Sequence, residues 1–307
     1  MWGGRPLRLL WSRLGLLYIG FGMSPLSIRK FVLMLLISCV LGACTIHHPQ
    51  KVPPSLVEKH FQDDKSATIL GGIEIESTHP ISQSSVFLMT TNYQGKKESC
   101  TGVLLHPQIA LTAAHCALAS QREFAAEIIL IFASNIQQYH GVFPDRIQRK
   151  VHQVHIHPGY DFEKCQKQIQ NCDDLALLEF SEPAPEGFLP ATILSSKSSF
   201  LGEVWVTGYG QTEFQSSGTL RIAHRPLLSP LLPEAPIFTV NQMDKKGSCF
   251  GDSGGPVWVQ DSLTRQYQLV GINAGVFPGC YGFSYFMNLN YYSAWISNEI
   301  ILNPITK

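Results

Sequence analysis

From residue 69 onward, apolar positions fall in short runs separated by Gly, Pro and Ser. Ser85–Thr91, Ile109–Thr112, Leu175–Phe180, Glu203–Thr207, Pro256–Gln260 and Gln268–Ile272 are rich in β-branched and aromatic residues and too short for packed helices. This pattern predicts strands. Near the end of the chain, Tyr291–Ile301 carries Tyr292, Trp295, Glu299 and Ile300 at helical spacing. No internal repeat and no additional domain are visible. The pattern implies an all-β body closed by one helix.

A different pattern precedes it. Arg29-Lys30 leads into an unbroken apolar run from Phe31 to Val40, shorter than the roughly 20 residues needed to span a bilayer and suited to the core of a signal peptide. Leu41-Gly42-Ala43-Cys44 follows directly and resembles a bacterial lipobox, in which cleavage precedes a cysteine that then carries lipid. Lipid on Cys44 would anchor an exported body to a membrane surface. Met23 begins a well-proportioned signal peptide and is the expected start. Residues 45–68 are polar, with Pro49, Pro53 and Pro54, and read as a tether. His47-His48 in that stretch are taken as solvated. The expected organisation is a leader over residues 1–43, a tether or propeptide over 44–68 and one domain over 69–307.

The formal net charge is zero, but residues 1–43 contain five basic side chains and no acid. The rest of the chain therefore holds 18 basic against 23 acidic groups. A mildly acidic body argues against nucleic acid as a partner. With Cys39 in the leader and Cys44 lipidated, six cysteines remain: Cys100, Cys116, Cys165, Cys172, Cys249 and Cys280. An even number in an exported body points to disulfides, with 15 connectivities open. No CxxC pair favours zinc.

Three segments carry chemistry: Leu111-Thr-Ala-Ala-His115-Cys116, Cys172-Asp173-Asp174-Leu-Ala-Leu-Leu178, and Gly247-Ser-Cys-Phe-Gly-Asp-Ser253-Gly-Gly-Pro256. A serine hydroxyl needs an imidazole to take its proton. The imidazole needs a buried carboxylate to fix its tautomer, and a developing oxyanion needs preorganised N–H donors such as those of Gly251 and Ser253. Gly-Asp-Ser-Gly-Gly also fits the nucleophile elbow of α/β-hydrolases, but those place histidine after serine. The last histidine here is His224, so that order is excluded.

These segments, in the order His, Asp, Ser, resemble the three catalytic signatures of the chymotrypsin/trypsin-like serine proteases. Ile69-Leu-Gly-Gly72 is similar to that family's mature N-terminus, His157-Pro-Gly-Tyr160 to the loop before its aspartate, Thr207-Gly-Tyr-Gly210 to the strand opening its second barrel, and Tyr292, Trp295 and Ile296 to its closing helix. The resemblance implies two antiparallel Greek-key β-barrels with a C-terminal helix, and a serine endopeptidase acting on protein or peptide substrates without cofactor or metal. It implies Ser253 as nucleophile, His115 as base, Asp174 rather than Asp173 as the orienting acid, and Gly251 and Ser253 as the oxyanion hole. It suggests the bridges Cys100–Cys116 and Cys249–Cys280, leaving Cys165–Cys172.

The residue six before the serine would floor the specificity pocket. It is Gly247, next to Ser248, so Lys and Arg are not expected substrates. The opposite wall is Asn273-Ala274-Gly275 where the family usually has Ser-Trp-Gly, with Asn273 able to bond toward Asp174. Gly282 or Ser284 would narrow the pocket. Cleavage before Ile69 would free an amine to pair with Asp252 and would release the domain from Cys44, placing the enzyme in a bacterial envelope or free of it. Strand alternation puts His155 and His157 on one face, with His152 nearby. Histidines of this protease fold account for them without metal. The competing reading is a noncatalytic binding or adhesin lipoprotein on the same scaffold.

Overall fold

A computed structural model describes residues 69–302 except 121–122, 170–171, 195–199, 213–214 and 278. The leader, Cys44 and the tether lie outside the described residues. The strands are β1 (Ile73–Glu74), β2 (Ser85–Thr91), β3 (Lys97–His106), β4 (Ile109–Thr112), β5 (Glu127–Ile131), β6 (Gln148–Ile156), β7 (Ala176–Phe180), β8 (Glu203–Gly208), β9 (Arg221–Pro226), β10 (Ile237–Asn241), β11 (Pro256–Gln260), β12 (Tyr267–Phe277) and β13 (Phe283–Asn288). The helices are α1 (Pro80–Ser84), α2 (Phe162–Lys167) and α3 (Ser293–Leu302). Among the described residues no helix is long and apolar enough to cross a membrane.

The first six-strand body, β2-β3-β4-β7-β6-β5, is a closed antiparallel barrel. The second is a seven-stranded sheet in the order β1-β9-β8-β11-β12-β13-β10. Numbered within each half, β2–β7 and β8–β13 follow the same cyclic order, 1-2-3-6-5-4, although the two sequences share no repeat. Among the described residues β9 and β10 are joined beyond β9 by the isolated bridge Leu227 to Val240, with Leu228 N–H donating to Thr239 O at 3.0 Å. Pro226 ends β9, the connection to β10 carries Pro230, Pro233 and Pro236, and proline has no N–H for a ladder.

Alternation explains why several strands read as unbroken apolar runs. Val86, Leu88, Leu104, Ala110, Ala176 and Leu178 point into the first barrel. Phe87, Val103, Ile109, Leu111, Leu175 and Leu177 point out and join Trp258, Leu269, Ile272, Met287, Tyr292 and Ile296 in one cluster shared by both halves and α3. Val204, Val206, Val257, Val259 and Phe286 fill the second half. Backbone bonds also cross the seam, from Leu220 N–H to Ser134 O (2.6 Å) and from Ile136 N–H to Gly218 O (2.8 Å).

The C-terminal helix docks through histidines on the outer face of the first barrel. His157 packs edge-on against Tyr292 and Trp295, with centroids 5.2 and 4.9 Å apart. His155 lies between Glu179 (3.4 Å) and Glu299 (3.3 Å). The ladder slips between Val151 and Gln153, and that bulge brings the His152 ring onto Glu179 O at 3.0 Å.

Because Leu177 is buried at the seam, Leu177→Ala should destabilise the fold by about 2–5 kcal/mol. The denaturant midpoint of purified protein measures this, and an unshifted midpoint would contradict the packing.

Candidate active site

His115 sits in the 3₁₀ turn Ala114–Ala117 that ends β4. Cys116 is joined to Cys100 on β3, with Cα atoms 6.1 Å apart. The turn presents both the backbone and the ring of His115 to Asp174. His115 N–H donates to Oδ1 (2.9 Å) and Nδ1 meets Oδ2 at 2.6 Å. Asp174 is almost fully buried while a third of the His115 side chain remains exposed. Burial alone would push the imidazole pKa down. The charge and hydrogen bond of Asp174, with a smaller contribution from Glu98, outweigh it and raise the pKa.

Asp173, one residue earlier, takes a left-handed backbone (φ 46°) and turns the other way. Its Oδ1 accepts from the Tyr292 hydroxyl at 2.6 Å. Burial, with Asp173 close by, holds the Tyr292 phenol above its ordinary range. The structure thus brings Asp174, and not Asp173, to His115.

The loop carrying Ser253 is fastened to the first barrel by Thr101 on β3. Thr101 N–H donates to Ser253 O (2.8 Å) and its hydroxyl donates to Gly251 O (3.0 Å). The same hydroxyl accepts from Tyr209 N–H (3.1 Å), and Tyr209 reaches across to donate to Ala133 O (2.9 Å). Gly254 has φ 76°, and a Cβ there would collide with Thr112 Oγ1 and Thr101 O. Glycine is the residue that permits both the turn and this close approach.

Gly251 has φ 95°. Among the described residues neither the Gly251 nor the Ser253 N–H donates to a protein acceptor. Ser253 and His115 line one cleft of about 600 Å³, together with Asp174 and Cys249. Within that cleft no hydrogen bond joins the Ser253 hydroxyl to the imidazole. Catalytic hydrogen bonds often form fully only with substrate bound.

The cleft walls differ from the sequence picture in three ways. Asn273, Ala274 and Gly275 do line the cleft, but the Asn273 side chain donates to Asp252 O (3.1 Å) and accepts from Gly275 N–H (3.0 Å). It makes no hydrogen bond to Asp174; its amide is turned to the serine loop and to its own strand. The lining ends at Cys249, with Gly247 and Ser248 buried behind it, and Tyr285 rather than Gly282 or Ser284 enters from β13. The far wall is a segment the sequence reading left without a role. Asp161 caps α2, accepting from Lys164 N–H at 3.1 Å. Cys165–Cys172 closes that loop, and Phe162, Gln166, Lys167 and Ile169 face the cleft. The capping aspartate and the extra cysteine pair were its sequence signals. The third bridge, Cys249–Cys280, links the serine loop to the segment entering β13.

Asp252 is fully buried. Its carboxyl accepts from Gly210 N–H (2.8 Å) and Cys249 N–H (2.7 Å). Burial raises its pKa to about 7 against the pull of those two donors. Ile69 is buried in the second half's core with φ 41°, a strained conformation for a β-branched residue. Leu70 pairs with Gly247. Cys100, His115 and Cys116 lie close enough to hold a metal ion, but the two sulfurs are spent on a disulfide and offer no thiolate.

Comparison with known proteins places this geometry in a family. The trypsin family profile matches residues 75–296, and the chain belongs to that family. Kallikrein 1-related peptidase b16 of Mus musculus is 26% identical over 254 residues, covering 76% of this chain and 90% of that protein. Ovochymase of Halocynthia roretzi is 30% identical over 229 residues, covering 69% of this chain but 14% of that protein. CLIP domain-containing serine protease B9 of Anopheles gambiae is 25% identical over 241 residues, covering 67% of this chain and 56% of that protein. The solved structure titled HL collagenase superposes with a TM-score of 0.60 at 19% identity, covering 75% of this chain and 98% of that one. That titled GrC superposes with a TM-score of 0.60 at 21% identity, covering 76% and 100%. At these identities the superpositions bear on the fold.

A carboxyl whose pKa is raised on folding stabilises the fold most below its unfolded value near 4, and that contribution fades as pH rises through the folded value. Asp252 should therefore make stability fall between about pH 4 and pH 7. Asp252→Asn should flatten the slope, as read from urea midpoints at several pH values. An unchanged slope would show that Asp252 does not titrate in this window.

Proposed function

We propose that the chain is a serine endopeptidase working through Ser253, His115 and Asp174. The observation that carries this reading is the two-point contact of His115 with Asp174, in one cleft with Ser253 and with the unengaged N–H groups of Gly251 and Ser253. Asp174 holds the proton on Nδ1, which leaves Nε2 to take the serine proton as Oγ attacks the scissile carbonyl. The oxyanion is received by the Gly251 and Ser253 N–H groups. His115 then gives its proton to the departing amine, leaving an acyl ester on Ser253. Water, deprotonated by His115, hydrolyses that ester and restores the hydroxyl.

The substrates are protein or peptide segments, cleaved after uncharged side chains, since the cleft presents Phe162, Phe250, Ala274, Val276 and Tyr285 and no acid in the place that would bind Lys or Arg. Three disulfides fit an oxidising compartment. Together with the leader they support export to a bacterial envelope and anchoring through lipid on Cys44. Activation by cleavage before Ile69 is supported by the burial and strained backbone of that residue, and the freed amine would seek the Asp252 carboxyl. The mature N-terminus and its mass test this: active protein with lipid and an intact 68–69 bond would overturn it.

A fluorophosphonate probe should label the wild type, and Ser253→Ala should abolish labelling. Failure of folded wild type to label would favour a binding lipoprotein instead. Because the raised imidazole must be neutral to act as base, kcat/KM should climb with pH through a value above that of an ordinary histidine. Asp174→Asn removes the charge that raises it. The acid limb should then move to lower pH while kcat drops on the order of 10⁴-fold, the size known for the family's template enzyme.

A further inference from the structure

Gly247 occupies the position expected to floor the specificity pocket, yet the cleft does not reach it. A residue from outside the three chemical segments packs against Gly247. Gln242, one residue past β10, is fully buried. A Cβ built on Gly247 would collide with Gln242 Oε1 and crowd its Cβ, so the Gln242 side chain fills the space a residue-247 side chain would take. Gly247 itself has φ 138°, a conformation that admits glycine.

The amide is pinned from both sides. Nε2 spends its two hydrogens on Ser248 O (2.9 Å) and Cys280 O (2.8 Å), and Oε1 accepts from the Ser284 hydroxyl. Ser248 precedes one end of the Cys249–Cys280 bridge, and Cys280 is the other. Held on three segments, the side chain cannot swing aside without leaving buried donors and acceptors unpaired.

We infer that Gln242, fully buried and outside the cleft lining, sets the depth of the cleft by filling the space beside Gly247 that a deeper pocket would need, and so limits the residue before the scissile bond to small uncharged side chains. It is a positioning residue that acts through volume and through the walls it holds, and it makes no contact with the reacting atoms. The inference rests on the peptidase reading above, and fluorophosphonate labelling separates failure of the two.

The test is a peptide series differing only before the scissile bond (Ala, Val, Leu, Phe, Lys), run on labelled enzyme. Wild type should favour Ala or Val. Gln242→Ala should raise kcat/KM for Leu and Phe relative to Ala at least tenfold, with labelling retained. Gln242→Met, similar in volume but unable to make the bonds, should keep the small preference. Unchanged ratios in a labelled Gln242→Ala overturn the inference. Should that variant not fold, a wild type that cleaves after Phe or Lys as well as after Ala overturns it. A wild type that neither labels nor cleaves overturns the peptidase reading, and this one with it.

Discussion

Thr101 is the residue on which the geometry of the site converges. Its N–H and hydroxyl hold the carbonyls of Ser253 and Gly251, while its neighbour Cys100 is bridged to Cys116 beside His115. Two consecutive positions on one strand therefore fix both partners of the proposed proton transfer. Thr112 strengthens the arrangement by donating to Thr101 O at 2.8 Å. Groups supplied by different halves of a fold must meet within hydrogen-bond reach, and a shared strand limits the error that each half's own packing would otherwise contribute.

Two buried carboxyls beside this strand show how surroundings divide one chemical group into different tasks. Asp174 faces an imidazole and raises its affinity for a proton. Asp252 faces two backbone amides and, lacking the solvation an anion needs, keeps its own proton up to about neutral pH. Adjacent Asp173 and Asp174 differ as sharply, because a left-handed turn at the first sends its side chain to Tyr292.

Much of this could be read from the residues. Strands buried on both faces announced themselves, and β2, β4 and β11 begin and end where the apolar runs do. The strand β6 did not, since Gln148, Lys150, His152 and Gln153 give it a polar face and a bulge interrupts its alternation. The segments supplying His115, Asp174 and Ser253 were legible because the chemistry restricts which residues fit. Gln242 and the wall from Phe162 to Ile169 were not, because their roles come from tertiary contact and no local pattern encodes that. The two ends of the second sheet meet at the Leu227–Val240 bridge, and the prolines from Pro226 to Pro236 bring no N–H groups to that junction.

Each cysteine bridge stays inside one half, joining residues 16, 7 and 31 apart. The principal apolar cluster does the opposite, drawing side chains from both halves and from the closing helix. Neither half can retain that cluster once the other has lost its structure. Loss of structure in one described half therefore strips the other of its share of that cluster, which couples the unfolding of the two and ties the integrity of the cleft to both.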